Sequence, residues 1–534
     1  MAPASVEPKP EADDIAQAVA LHQRGRLNEA AQLYQAILAA TPDHPDALNL
    51  LGLVLHQQNR NIEALQLIGA ALKHAAASAD IVNNFALVLD ALGRHEEALA
   101  HFEQALAVNC CHVNALNNRA NTLARLKRDE EALAAYQRLL ELQPGHLGAL
   151  NESGGLNMRL GRPAAALVCY DRALAVSALP ELHVNRGAAL RALQRDAEAL
   201  ASFAMAAALK PDFAEAHWNA SLIRLRHGDF SNGWKEYEWR WRKADWARRR
   251  RIFPAPLWLG DAPLAGATIL LHAEQGFGDT IQFIRYAPLL ARSGARVVLE
   301  CPVELTELLR DSEGVAEIVA HGDRLPAFDF HCPLLSLPLA FGTRLNTIPN
   351  AVAYVKAPER RLRQWAVQLA GLPKPRVGLV WAGNSAHHSD RHRSIALPAL
   401  QPLLALAGLH FVNLQKHAAA ADMALLARFA NVVDVARELR DFADTAAVIA
   451  QLDLVVAVDT AVAHLAGAMG KAVALLLPYS PDFRWMLDRS DSPWYPTMRL
   501  FRQTALGDWD GVIERLRVEL ADVACRATAQ GAPT

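Results

Sequence analysis

The chain has 534 residues, 52% hydrophobic and 21% charged, which excludes a largely disordered or collagen-like polymer and points to three or four folded domains. Fifty-four Lys plus Arg against 56 Asp plus Glu leave a formal charge of −2, so no global field steers the chain toward nucleic acid. The six cysteines, Cys110, Cys111, Cys169, Cys301, Cys332 and Cys525, show no C-x-x-C pair and no metal-ligand spacing, and are expected as reduced thiols of a cytoplasmic protein.

The opening MAPASVEPKPEADD has no apolar core, so no signal peptide is expected there. A small residue followed four positions later by a bulky one then recurs down the first 240 residues: Ala30/Tyr34, Ala64/Ile68, Ala98/Phe102, Ala132/Tyr136, Ala166/Tyr170, Ala199/Phe203 and Gly233/Tyr237. Successive small residues lie 34 apart, with one step of 33 between Ala166 and Ala199. Segments such as LGRHEEALAHFEQAL (Leu92 to Leu106) are amphipathic helices entered through a turn, and Pro42, Pro144 and Pro211 close three of the units. This pattern resembles tetratricopeptide repeats, paired antiparallel helices stacked into a superhelix. About seven units are expected over residues 12–242, each stable only against its neighbours.

Two positions before the small residue of the first helix in several units, Asn recurs at Asn84, Asn118, Asn185 and Asn219, with Leu50 and Glu152 interrupting the column. In tetratricopeptide folds these positions face the concave groove, where a row of carboxamides can hydrogen-bond an extended peptide without reading its sequence. The column is similar to the arrays of protein O-GlcNAc transferases. The alternative is an ordinary polar groove.

The periodicity stops at a junction, residues 243–266, preceded by a run of Trp and Arg. WKEYEWRWRKADWARRRRIFPAPLW, from Trp234 to Trp258, interleaves aromatics with basic residues, including Arg248 to Arg251. Such a composition can grip single-stranded nucleic acid. With so balanced a net charge the better expectation is a helix end that caps the array and docks it on the next domain, with no nucleic-acid partner.

From Ala267 short apolar runs alternate with helical segments. Expected strands are ATILLHA, RVVLECP, RVGLVWAG, HFVNLQ, LDLVVAVDT and KAVALLLP, each nearly all apolar as strands covered on both faces must be. The apolar stretch from Leu452 to Pro478 contains Asp453, Asp459, His464 and Lys471 and will not span a membrane. The alternation predicts two doubly wound α/β units, residues 267–361 and 376–525, with a linker at 362–375. Ligands of such sheets bind beyond the carboxyl ends of the strands. Polar residues gather there: EQGFGDT (Glu274 to Thr280), WAGN followed by SAHHSDRHRSI, Gln415, and VDTAVAHLAGA (Val458 to Ala468). Gly276-x-Gly278 with Glu300 mimics a dinucleotide fingerprint, but Ile281 stands where the third glycine is needed, so no nicotinamide cofactor is expected.

GFGDT and VDTAVAHLAGA, in this order and at the ends of strands, resemble the heptosyltransferase-type glycosyltransferases of family nine over about Ile269 to Arg502. The resemblance implies a GT-B fold, in which two Rossmann-like units face one another, the first handling the acceptor and the second a nucleotide-sugar. It gives Asp279 as general base in an acceptor loop with Gly276, Gly278 and Thr280. It places Asp459, Thr460, Ala461 and His464 at the donor diphosphate, with Ala461 standing where the family often has Gly. Asn384, Arg393, Ser394 and Gln415 complete the expected donor site, and Arg391 is a second candidate for the cation facing the leaving group. Asp279 could instead serve only to cap the helix TIQFIRYAPLL, and His464 could be a satisfied core histidine.

His387, His388 and His392 make a His-rich loop of irregular spacing, and Asp508-Trp509-Asp510 reads as a helix start, so no metal site is expected. The resulting expectation is an inverting, metal-independent glycosyltransferase that needs no cofactor beyond its nucleotide-sugar co-substrate. Its acceptor is a protein or glycan hydroxyl, with protein partners bound through the array. A non-catalytic adaptor with a degenerate nucleotide-sugar domain is the alternative.

Overall fold

Small residues at a 34-residue period let helices approach closely, and the bulky residue four positions on fills the space so opened. In the computed structural model, which describes residues 11–75, 77–248, 250–384 and 390–530, this sequence rule yields seven consecutive helix pairs. They run from Glu11–Gln23 with Leu27–Ala40 to Ala214–Arg226 with Phe230–Tyr237. Ala30, Tyr34, Ala64, Ile68, Ala98, Phe102, Ala132 and Tyr136 are all fully buried. The turn inside each pair carries one residue in the left-handed region, at Gly25, Asn59, Gly93, Lys127, Gly161, Gln194 and Gly228. Glycine adopts that conformation at no steric cost and occupies four of the seven positions.

Adjacent glycines in the fifth unit make opposite predictions. A Cβ added at Gly154 would overlap the Tyr170 ring, whereas at Gly155 it would meet nothing within 4 Å. In a helix interior Ala is favoured over Gly by about 1 kcal/mol, while overpacking a core costs about 1–3 kcal/mol. Gly154→Ala is therefore expected to destabilise the array and Gly155→Ala to stabilise it, read by urea denaturation followed by circular dichroism. Equal effects of one sign would refute this packing.

The chain divides into two compact units, Met1–Ala189 and Leu190–Thr534. The repeat pattern predicts an array that ends at residue 242, and its last helix pair lies in the second of these units. The reason is aromatic: Phe230, Trp234 and Tyr237 of the last repeat share one apolar cluster with Trp258, Phe283, Phe483 and Trp494 of the α/β region. Trp234 meets Phe283, Phe483 and Trp494 edge to face at 5.7–6.5 Å. Such pairs add about 0.5–1.5 kcal/mol each beyond area burial.

The second unit holds two parallel sheets. Strands β1 (Thr268–His272), β2 (Arg296–Cys301), β3 (Val315–Ala320) and β4 (Phe330–Pro333) form the first, in the order β3-β2-β1-β4. Strands β5 (Arg376–Val380), β6 (His410–Asn413), β7 (Val432–Asp434), β8 (Leu454–Val458), β9 (Val473–Leu477) and β10 (Met498–Arg502) form the second, in the order β10-β9-β8-β5-β6-β7. This is an α/β architecture of two Rossmann-like sheets following an all-α tetratricopeptide array. The first half of the expected linker at 362–375 is helical: Glu359–Gln368 is a helix whose Trp365 is buried and donates to Asp444. Arg361 on the same helix pairs with Glu307, Asp441 and Asp444, which ties this segment to both sheets' helices.

Candidate active site

The loop after β1 enters helix Phe277–Phe283, and Gly276 is its N-cap. Asp279 is therefore the third residue of the helix, not the cap that a helix beginning TIQFIRYAPLL requires. Its Oδ2 accepts the Gly276 amide at 2.9 Å, as a carboxylate in the first helical turn does. Its Oδ1 accepts a hydrogen bond from Arg484, a residue 205 positions away that follows β9 in the other Rossmann-like half. Thr280 is buried and its hydroxyl turns back to the Gly276 carbonyl at 3.4 Å.

After β8, Asp459 and Thr460 lead into helix Ala461–Ala468, with Thr460 as N-cap and Ala461 as first helical residue. The amides of the first turn have no partner within the helix, and the Thr460 hydroxyl is buried without a hydrogen-bond partner among the described residues. His464, four residues on, is buried; its Nδ1 lies 2.8 Å from the Tyr495 hydroxyl and its Nε2 3.7 Å from Asp459. Burial opposes ionisation of Asp459, but His464 and the charge of Arg393 outweigh it and hold its carboxyl below the usual range.

The two loops touch. A Cβ on Gly278 would come within 2.7 Å of His464 Cδ2, so this glycine serves the close approach of helix Phe277–Phe283 to helix Ala461–Ala468. Arg484 completes the junction of the halves: Nη1 donates to Asp482 at 2.9 Å, Nε to Gln282 at 2.6 Å and Nη2 to Asp279. Burial disfavours its charge, yet Asp482, Asp279 and Asp459 more than compensate and keep the guanidinium ionised. No sequence motif marks Arg484; only the tertiary fold brings it to Asp279.

The remaining donor-side candidates line the end of β5. Gln415 spends its side-chain oxygen on the amides of Trp381 and Ala382, at 3.2 and 2.9 Å. Ser394 accepts the Gly383 amide at 2.9 Å, and Arg393 pairs with Asp390 at 3.2 Å. Asn384 is exposed at the same strand end, and Arg391 lies in the short helix Asp390–Arg393. His387 and His388 fall outside the described residues, while burial pushes His392 below the usual imidazole range. Among the described residues no group of three His, Cys, Asp or Glu side chains is placed to hold a metal ion. Asp508 caps helix Trp509–Gln530 by accepting the Gly511 amide, so the Asp508-Trp509-Asp510 string stands at a helix start.

Beside the acceptor loop lies a second buried network that the composition of the junction concealed. Arg240 is fully buried and donates to Glu238 at 2.5 Å, to Ser336 at 2.7 Å and to Glu274 at 3.1 Å. Gln275 donates to the Tyr237 hydroxyl at 2.9 Å. Burial pushes the Glu274 carboxyl up to about 7 against the opposing pull of Arg240, and its Oε2 has no partner among the described residues.

In the first unit the asparagine column is tied to a second column one residue earlier. Asn118 donates to Asn83, Asn83 to Asn84 and Asn84 to Asn49, at 3.0–3.1 Å, and Asn185 donates to Asn151 at 2.9 Å. Asn219, in the second unit, donates instead to the Glu215 carbonyl. The carboxamides thus bond from repeat to repeat, which a single column of asparagines does not predict. Each has two N–H groups and two acceptor lone pairs, so one bond of each kind does not exhaust it.

Tetratricopeptide repeat models match residues 19–59, 83–146 and 156–212. The glycosyltransferase family 9 (heptosyltransferase) model matches residues 409–493, a segment that contains Gln415, Asp459, Thr460, His464 and Arg484 but not Asp279. Protein FlbA of Caulobacter vibrioides is 26% identical over 339 residues, 59% of this chain, and the match spans 56% of that relative's length. Among solved structures, the type IV pilus biogenesis factor PilW covers 39% of this chain and 97% of its own at 20% identity and a TM-score of 0.37. Pseudomonas aeruginosa PilF covers 38% and 93% at 18% identity and 0.35.

Proposed function

We propose that this chain, which joins tetratricopeptide repeats to a domain of the glycosyltransferase family 9 type, transfers a sugar from a nucleotide-diphosphate-sugar to an acceptor hydroxyl with inversion and without a metal ion. The observation that carries the reading is the meeting of Asp279, at the end of β1, with Asp459, Thr460 and His464, at the end of β8, through Arg484 and the Gly278–His464 contact. In this reading the acceptor O–H gives its proton to Asp279 while its oxygen bonds to the anomeric carbon. The bond from that carbon to the diphosphate oxygen breaks, and its electron pair leaves with the diphosphate. Negative charge then grows on the leaving group, where the helix start at Ala461 and a nearby guanidinium lower the barrier most.

The acceptor is proposed as a polypeptide hydroxyl presented by the array. The half-buried Asn84, Asn118, Asn151 and Asn185 support this, because each keeps hydrogen-bonding capacity for a main chain. Calorimetry with a panel of nucleotide-sugars, followed by a transfer assay on candidate polypeptides and glycans, tests the reading. Binding followed by transfer supports it; binding without turnover of any acceptor would return the adaptor reading. The unpartnered Thr460 hydroxyl gives a sharper expectation. Losing one hydrogen bond to a charged group costs about 1.5–3 kcal/mol, so Thr460→Ala is expected to lower kcat/KM by about 10- to 100-fold with the thermal midpoint unchanged. An unaltered kcat/KM would remove Thr460 from the donor site.

A further inference from the structure

Arg484 joins the proposed proton acceptor, Asp279, to the Rossmann-like half that carries the proposed donor site. It stands on a short 3₁₀ turn, Phe483–Trp485, capped by Asp482, and its side chain is only 9% exposed. The rings of Phe483 and Phe283 lie beside it, their centroids 4.6 and 5.7 Å from the guanidinium carbon. Three groups hold it at once: Asp482 from its own turn, Gln282 from the acceptor-loop helix, and Asp279. A carboxylate whose two oxygens accept a backbone amide and a guanidinium has both of them engaged, so neither is open to a further hydrogen-bond donor in that arrangement. Asp279 in this structure is such a group. Toward the donor side, the charge of Asp459 also acts on Arg484, which places the guanidinium within electrostatic reach of the loop before helix Ala461–Ala468.

We propose that Arg484 is an exchangeable counter-ion, paired with Asp279 when no donor is bound and drawn to the diphosphate of the nucleotide-sugar when it arrives, so that Asp279 becomes free to take a proton only in the donor-loaded protein. The proposal rests on the donor-site reading above. Asp482 gives the exchange its pivot: the Nη1 bond to Asp482 persists while Nη2 changes partner from a carboxylate to a phosphate oxygen. A diphosphate carries more charge than one carboxylate and offers several acceptor oxygens, so the exchange favours the ligand. The consequence is ordered binding, donor before acceptor, with the cation that neutralises the leaving group supplied by the same movement that unmasks the base.

Inorganic pyrophosphate is a suitable probe, because it presents the diphosphate without base or sugar. Its affinity for the full chain is measured by calorimetry for wild type, Asp279→Asn, Arg484→Gln and the double variant. Removing Arg484 is expected to weaken pyrophosphate binding about 10- to 100-fold, and removing the charge of Asp279 to tighten it about fivefold. In the Arg484→Gln background the Asp279→Asn effect is expected to shrink to within about twofold, because no guanidinium remains to be released. Equal tightening by Asp279→Asn in both backgrounds would mean that Asp279 acts only through its field, which overturns the exchange while the donor site stands. Failure of wild type to bind pyrophosphate or any nucleotide-sugar would overturn the donor site itself and the exchange with it. Should Arg484→Gln not fold, Arg484→Lys takes its place. A single ammonium lacks the fork that serves Asp482 and Asp279 together, so the Asp279→Asn tightening must shrink there also; an undiminished effect refutes the exchange.

Discussion

Asp279→Asn should lower sugar transfer by about 10²- to 10⁴-fold, the usual contribution of a positioned general base, while donor affinity holds or rises. The substitution is conservative in shape: the Asn carbonyl oxygen can still accept the Gly276 amide that Asp279 accepts at 2.9 Å. Arg484 keeps Asp482 and Gln282 as partners, so it is not stranded without a counter-charge. The fold is therefore expected to survive, with a thermal midpoint close to that of wild type. Turnover and nucleotide-sugar affinity are measured on the same preparation. Loss of both together would mean that Asp279 holds the donor site in shape, and wild-type turnover would remove it from the chemistry.

The elements that can be read from the chain are those whose signal is local. The tetratricopeptide period rests on Ala-to-aromatic pairs such as Ala132/Tyr136, and the six strands read as apolar runs are buried along nearly their whole length. Four strands escape such a reading for physical reasons. β7 has three residues, β4 is FHCP, and β10 (MRLFR), at the sheet edge, is interrupted by Arg499 and ends in Arg502. β3, also at an edge, is only partly buried and carries Glu317, which pairs with Arg296 on β2. In the candidate site, the strand-end placement of Asp279 and Asp459 is legible because each follows an apolar strand run. Arg484 is not, since FRW in a short 3₁₀ turn has no periodicity and its partner lies 205 residues away. The asparagine column is visible in the repeats, but its partners Asn49, Asn83 and Asn151 sit one residue earlier in each helix. Only the stacking of one repeat on the next shows that the two columns bond.

Arg240 illustrates how composition misleads and carries the largest expected effect on stability. In the run EWRWRK it reads as one of several solvated basic residues, yet it is fully buried between Glu238, Glu274 and Ser336. Removing one partner of a buried ionic network costs about 3–5 kcal/mol, because the charge left behind has neither water nor a counter-ion. Arg240→Met is expected to show that loss in urea denaturation at neutral pH. Glu274 sets the pH dependence. Its native carboxyl is raised to about 7 from an ordinary 4.5, so the native state holds the proton more tightly than the unfolded chain does. That contribution to stability is fully present below about pH 4.5 and is lost as the pH rises through about 7. Glu274→Gln, neutral at every pH, is expected to flatten the stability profile across this window and to recover part of the loss in the Arg240→Met background. A cost below about 1 kcal/mol for Arg240→Met, the ordinary range for a surface position, would show that Arg240 is not the residue that holds Glu274. The acceptor loop would then owe its place to the Tyr237–Gln275 bond and the aromatic cluster alone.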